Sequence, residues 1–196
     1  ANYNGSEEFT ATVSDGNLTA SQTFTVTVTA VNDAPVLAAV DTVSFDEDDT
    51  LSITLSASDV DGDAITFSAS NGNADISVDG SILTVTPEID FNGSIVVDVV
   101  VTDGALSDST SFTITVNPVN DAPILDDLAD TTTSEDTAYS VDLSSSDIDG
   151  DTVTYSASTS SGSVVVDGST LTVTPGQDYN GDVTVSVTAS DGSLTD

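Results

Sequence analysis

One register governs this chain. "NYNG" at Asn2–Gly5 returns as "DFNG" at Asp90–Gly93 and "DYNG" at Asp178–Gly181, so that Gly5, Gly93 and Gly181 stand 88 residues apart. The same interval of 88 separates Pro35 from Pro123, Asp61 from Asp149, Gly80 from Gly168 and Pro87 from Pro175, with no insertion or deletion. A fixed period repeated along a chain means one folding unit used in tandem. Any fold proposed for residues 36–118 must therefore also serve residues 124–196.

Within each unit the apolar residues alternate. "SQTFTVTVTA" sets Phe24, Val26 and Val28 on one side and threonines on the other; "SFTITV" repeats this with Phe112, Ile114 and Val116. Leu51, Ile53 and Leu55, then Ile65 and Phe67, then Leu83 and Val85 follow the same rule. Short runs of period two, rich in Thr and Val and bounded by turn residues, are antiparallel strands with one buried face. Helical periodicity is absent. "VDGS" at Val78–Ser81 and Val166–Ser169 places Asp-Gly between strand-like runs, a tight-hairpin signal.

The unit from Val36 to Pro118 reads as about seven strands, near Thr42–Phe45, Leu51–Ala57, Ile65–Ala69, Asp75–Val78, Ile82–Thr86, Ser94–Thr102 and Thr110–Val116. The expected fold class is all-β: tandem Ig-like Greek-key β-sandwiches of about seven strands each on an 88-residue repeat. Residues 1–30 read as the last two strands of a preceding repeat, 31–35 as a linker, and 36–118 as a complete repeat. A second linker covers 119–123, and 124–196 reads as a repeat lacking its last strand. Since a lone hairpin is marginal in water, residues 1–30 are expected to need the rest of their domain.

Charge is the second constraint. There are 34 acidic residues, mostly Asp, and no Lys, Arg or His, for a formal net charge of −34. Hydrophobic residues make up 37% of the chain, which favours a folded state over disorder. The missing residue types exclude whole classes of chemistry. Nucleic-acid and anionic-lipid binding need basic surface. Ser-His-Asp, Cys-His and ordinary zinc sites need His or Cys, and phosphate loops need Lys. No run of 18 apolar residues offers a membrane helix. No pair of carboxylates is set apart as acid and nucleophile, so glycoside hydrolysis has no support.

The acids are not spread along the strands, whose polar positions are mainly Ser and Thr; they gather in turns. That argues against general acid adaptation. Seven antiparallel strands put the turn after the first strand ("FDEDD", Phe45–Asp49) and the turn after the fifth ("EIDFNG", Glu88–Gly93) at one end. The linker "VNDAP", the next repeat's "SDIDGD" (Ser146–Asp151) and its "SDG" (Ser190–Gly192) then fall at the facing end. So many carboxylates with no protein cation imply a missing one. Oxygen donors in number, on turns, suit Ca²⁺ better than Mg²⁺, which keeps its water. The expected ligands are Glu47, Asp48, Asp90, Asn120, Asp121, Asp147, Asp149, Asp151 and Asp191 at one junction. Upstream they are Asn32, Asp33, Asp59, Asp61, Asp63 and Asp103, with Asn2 where other repeats have Asp. The register adds Glu135, Asp136 and Asp178 as the counterparts of Glu47, Asp48 and Asp90. The loop is not an EF-hand, since its Gly is fourth rather than sixth and no twelfth-position Glu follows. Asp79 and Asp167 read as turn residues only.

These motifs together resemble the cadherin-like repeats found in tandem in large bacterial surface and secreted adhesins of the repeats-in-toxin type. The shared features are the "NDAP" linker, the early "ED" pair, the "D-x-D-G-D" loop, the "NG" turn and the "V-T-D-G" strand end, in order over the whole chain. Two departures stand out: no Arg follows the acid of the fifth turn, and the linker reads Asn-Asp-Ala where cadherins carry Asn-Asp-Asn. The resemblance implies interdomain calcium and non-catalytic spacer repeats at the bacterial cell surface. Adjacent repeats are then the first partners, with lateral or end-to-end self-association open. The alternative it leaves is a calcium-dependent carbohydrate- or protein-binding module.

Overall fold

The computed structural model describes residues 2–196, and their regular elements are strands throughout. The chain divides into two compact units, Ala1–Asn117 and Pro118–Asp196. No helix is long and apolar enough to cross a membrane among the described residues.

The first unit opens with a hairpin, β1 (Gly5–Ser14) and β2 (Thr19–Val28), in register from Gly5↔Val28 to Ser14↔Thr19. Its strands leave every residue exposed, and Phe9 stacks on Phe24 with ring centroids 5.7 Å apart. The strands that follow are β3 (Val36–Leu37), β4 (Val43–Asp46), β5 (Leu51–Thr54), β6 (Ala57–Ser58), β7 (Thr66–Ser70), β8 (Ala74–Asp79), β9 (Ile82–Pro87), β10 (Gly93–Thr102) and β11 (Ser107–Asn117). They form a sheet of order β4-β11-β10-β7, a sheet of order β5-β9-β8 and the short pair β3-β6.

Alternation makes the core. On β10, Ile95, Val97, Val99 and Val101 are fully buried, while Val96 between them is 55% exposed. Phe112, Ile114 and Val116 of β11 lie on the same side, and Leu83 and Val85 join them from β9, with Leu55 from just beyond β5. Each such side chain contributes roughly 1.5–3 kcal/mol relative to exposure. The register confirms itself here: Phe24 and Val26 are 53% and 42% exposed in the hairpin, and their counterparts Phe112 and Ile114 are buried at 7% and 0%.

Two elements differ from expectation. The strand expected over Leu51–Ala57 is broken into β5 and β6. The unforeseen β3 pairs antiparallel to β6 while β4 pairs parallel to β11, so the chain crosses between sheets over residues 38–42. Parallel pairing with β11 carries the end of β4 to the end of β11, where Glu47 N–H donates to Asn117 O at 3.0 Å. The hairpin turn also sits one residue later than Asp-Gly suggests. Asp79 pairs with Ile82, leaving Gly80–Ser81 as the loop with Gly80 at φ 60°, the first-position glycine of a type II′ turn.

The second unit holds β12 (Ile124–Leu125), β13 (Tyr139–Asp142), β14 (Ser145–Ser146), β15 (Thr154–Thr159), β16 (Ser163–Asp167), β17 (Thr170–Thr174) and β18 (Val185–Ser190). Its pairings repeat the first unit's: β13-β17-β16, β15-β18 and β12-β14. Leu143, Leu171, Ala189 and Pro123 are its buried apolar residues. Residues 131–134, the counterpart of β4, form no strand, because β4 depends on the strand equivalent to β11 and only the bridge Ser190↔Thr195 stands in its place. One substitution is paired across the repeat. Ala57 and Phe67 become Ser145 and Tyr155, whose hydroxyls bond at 2.7 Å.

Candidate metal centre

Each unit carries carboxylates at two ends. At the end where the linker enters, the loop after β6 is wound around one carboxylate. Asp59 Oδ1 accepts from the N–H groups of Asp61 (2.9 Å), Gly62 (3.0 Å) and Asp63 (3.2 Å). Gly62 at φ 80° lets the backbone make this turn. The winding brings oxygens of Asp59, Asp61 and Asp63 within 4.8 Å of one another. Asp61 Oδ2 accepts from Asp33 N–H at 2.8 Å, which ties the linker to the loop. Asn32 Nδ2 donates to Asp103 Oδ2 at 2.7 Å, which ties the linker to the turn between β10 and β11. A cavity of about 450 Å³ beside the loop is lined by Asn2, Asp33, Ser58 and Asp59 among others.

The second unit repeats the two linker bonds almost distance for distance and keeps one of the three loop bonds. Gly150 N–H donates to the backbone O of Asp147 at 3.3 Å instead of to its carboxylate. Asp121 N–H donates to Asp149 Oδ2 at 2.8 Å, Asn120 Nδ2 to Asp191 Oδ2 at 2.8 Å, and Asp151 N–H to Asp147 Oδ1 at 3.1 Å. Asp103 is held below the usual carboxylate range, first by Leu106 N–H, then by Asn32 and by Ala105 N–H. Asp191 is lowered too, first by Asn120, then by the N–H groups of Ser193 and Leu194.

The opposite end of each unit uses strained backbone. Asp48 and Asp90 have φ of 63° and 58°, and Asp136 and Asp178 have 59° and 57°. Non-glycine residues in this left-handed region are uncommon, with Asp among those that tolerate it. Asp48 Oδ1 accepts from Asp90 N–H at 3.1 Å, and Asp136 Oδ1 accepts from Asp178 N–H at 3.1 Å. Glu47 is only 4% exposed and accepts from Asn92 Nδ2 at 3.2 Å, whereas Glu135 is exposed.

Thus Asn32, Asp33, Asp59, Asp61, Asp63 and Asp103 come together within the first unit, and Asn120, Asp121, Asp147, Asp149, Asp151 and Asp191 within the second. Glu47, Asp48 and Asp90 share the other end of the first unit, as do Glu135, Asp136 and Asp178 in the second. Two residues outside the expected set hold the short strand that follows each linker: Asp108 Oδ2 accepts from Leu37 N–H at 2.9 Å, and Asp196 Oδ2 from Leu125 N–H at 2.8 Å. Their spacing of 88 is the signal that could have found them.

The fit to a cation rests on one kind of atom. Asp59 Oδ2 and Asp147 Oδ2 are buried and accept no hydrogen bond. A buried carboxylate oxygen left bare is costly, and the chain has no Lys, Arg or His to offer it. Carboxylate and amide oxygens on turns form a hard donor set of the kind Ca²⁺ takes.

The family model for the bacterial Ig domain matches residues 32–117 and again 120–196. The chain belongs to the bacterial Ig domain family. No curated protein matches it significantly. Human protocadherin-24 EC1-2 shares the fold of these bacterial Ig repeats at 19% identity and TM-score 0.55, over 83% of this chain and 90% of that one. Mouse protocadherin-24 EC1-3 is 14% identical at TM-score 0.49, over 94% and 72%. An endo-fucoidan hydrolase of glycoside hydrolase family 107 is 19% identical at TM-score 0.42. The chain covers 99% of its own length in that match and spans a third of the hydrolase. Bacterial Ig domains are generally non-catalytic.

Proposed function

We propose that these bacterial Ig repeats are non-catalytic extender units of an extracellular protein, an adhesin or surface filament, and that Ca²⁺ at their carboxylate clusters stiffens the array. The bare buried oxygens of Asp59 and Asp147 carry this reading. They sit at equivalent positions, each in a loop that gathers further carboxylates, in a chain without a single basic side chain.

In this reading a junction is completed by the preceding repeat. Glu47 N–H is bonded to Asn117 O, so the strand end and the Glu47–Asp48 turn are neighbours within the first unit. Three residues on, Asn120 lies at most about 11 Å along the chain from Asn117. The tether alone keeps the linker ligands near the turn that holds Glu47, Asp48 and Asp90. Ions shared between them would oppose bending, whereas bare carboxylates would repel. Bacterial Ig domains are typically extracellular, and sites with Kd of roughly 10⁻⁴–10⁻³ M fill at millimolar Ca²⁺ outside cells and stay largely empty in the cytosol.

The test is a thermal melt of the 196-residue chain titrated with Ca²⁺ and, separately, Mg²⁺ at constant ionic strength. A melting temperature that climbs through millimolar Ca²⁺ with little Mg²⁺ effect is expected. Equal response to both ions, or to added NaCl, would reduce the clusters to screened surface charge. Small-angle scattering supplies the mechanical half: chelation should broaden the distribution of interdomain distances, and an unchanged distribution would remove the stiffening role.

A further inference from the structure

Strand β16 is the last strand of the sheet β13-β17-β16, and β8 holds the same place in β5-β9-β8. An edge strand offers unpaired N–H and C=O groups to any strand that can approach. The two edges are equivalent in register but not in character. The exposed positions of β8 are Asp75, Ser77 and Asp79; those of β16 are Ser163, Val165 and Asp167. In this acidic chain Val165 stands 59% exposed at the middle of an edge.

The hairpin geometry says which backbone groups are free. Asp167 pairs with Thr170 across the two-residue loop, so that pair is the bonded one and pairs alternate from there. Asp167, Val165 and Ser163 thus spend their groups on β17, and Val164 and Val166 direct theirs outward. A second copy laid antiparallel on this edge, with the two-fold axis at Val165, sets Val164 opposite Val166 on both sides. Four backbone hydrogen bonds result. Val165 meets Val165 in the close, non-bonded pair, and Ser163 faces Asp167, where its hydroxyl can donate. No acid faces an acid. The same operation on β8, centred on Ser77, sets Asp75 against Asp79 twice, and like charges directly opposite are unfavourable.

We propose that β16 is a self-association edge, through which a second copy of the chain pairs antiparallel about Val165, while β8 is barred from such pairing by Asp75 and Asp79. The occupant is a second copy because the edge is complementary to itself: its one acid meets its one terminal hydroxyl. This proposal does not rest on calcium. Net charge of −34 opposes any dimer, so association strengthens as salt screens that repulsion.

Sedimentation velocity of the 196-residue chain, from about 10 μM to about 1 mM in 0.15 M NaCl, reads the association directly, since an interface this small gives weak dimers. The expected result is a concentration-dependent dimer, found equally with Ca²⁺ and with chelator. Val165→Asp and Ser163→Asp, both at exposed positions, should each weaken it by about tenfold or more with an unchanged melting temperature. Asp75→Ser with Ser77→Val should turn β8 into a second such edge and yield species larger than dimers. A chain that stays monomeric throughout overturns the proposal, and so does a dimer indifferent to both aspartate variants or lost on chelation.

Discussion

Replacing Asp59 with Asn should stabilise the repeat without calcium and forfeit that advantage with it. The asparagine keeps its Oδ1, so the N–H groups of Asp61, Gly62 and Asp63 retain their acceptor. What changes is the charge on a cluster whose oxygens lie within 4.8 Å of one another. At that distance two unit charges repel by about 0.9 kcal/mol in water and about four times more at an effective dielectric of 20. Neutralising Asp59 removes two of the three pairs. With screening at 0.15 M salt roughly halving the water value, the relief is about 1 kcal/mol. For a domain of this size that is a rise of about 4–8 °C in melting temperature. In 10 mM Ca²⁺ a site with Kd of roughly 10⁻⁴–10⁻³ M contributes about 1.4–2.7 kcal/mol. A tenfold loss of affinity on removing one carboxylate cuts that by about 1 kcal/mol or slightly more, which cancels the gain. Calorimetry suits the experiment, because Asp59 lies in one unit and its counterpart Asp147 in the other, whose transition serves as an internal control. A variant as destabilised without calcium as with it would mean that Asp59 is needed for its own sake, and the missing-cation argument would be wrong.

Asn120→Ala should raise the pKa of Asp191, and Asn32→Ala that of Asp103, because Asn120 is the leading cause of lowering at Asp191 and Asn32 stands second to Leu106 N–H at Asp103. Carboxylate chemical shifts followed by NMR through pH 2–6 would show this, and titrations left unmoved by the two variants would contradict it. Since both folded values are lowered, the stability these groups contribute is present above the unfolded value near 3.9 and is lost as pH falls through the lowered folded values. The stability contributed by these two groups should therefore fade below about pH 4, read as a melting-temperature difference between the parent chain and Asn120→Ala that narrows there. Tyr155→Phe should cost about 1 kcal/mol by denying Ser145 its partner, and adding Ser145→Ala should recover most of it, since Ala57 and Phe67 are the same pair without hydroxyls. Urea titration of both variants checks this, and a double variant as weak as the single one would count against it. Gly162→Ala should cost more than about 2 kcal/mol, because its φ is 79° and a Cβ there would lie 2.2 Å from Thr174 O. A near-neutral result in the same titration would show that the loop can shift.

Much of this was legible because the repeat let each observation be made twice. Alternation placed the buried face of β11 residue by residue, and the strand count brought the linker, the "D-x-D-G-D" loop and the turn holding Asp103 or Asp191 together within each unit. Other features left no mark in the pattern. A two-residue strand such as β3 has no period to detect, so it emerges only from its pairing with β6, as the crossing that follows it emerges from the parallel pairing of β4 with β11. Asp-Gly flags a hairpin, but the loop begins at the Gly, since pairing of Asp79 with Ile82 is a matter of register. That Asp48 and Asp90 take left-handed backbone, and that one oxygen of Asp59 is buried without a donor, depend on the closed loop.

The two repeats also differ, and where they differ bears on what the acids are for. Between them the core exchanges Phe67 for Tyr155, an edge exchanges Asp75 and Ser77 for Ser163 and Val165, and the turn after β9 exchanges Glu88 and Ile89 for Gly176 and Gln177. Through all this, Asn32–Asp33, Asp59, Asp61, Asp63 and Asp103 recur unchanged as Asn120–Asp121, Asp147, Asp149, Asp151 and Asp191. Their paired bonds recur within about a tenth of an ångström: 2.7 and 2.8 Å for Asn to Asp, 2.8 and 2.8 Å for the linker N–H. Acids serving only solubility could sit anywhere on the surface, and Asp75 on the β8 edge does change, to Ser163. A set that keeps residue type and linker bonds in both repeats, with no basic side chain to relieve its repulsion, is what the proposed calcium sites would require. Solvation alone gives no reason to hold three carboxylates in one loop.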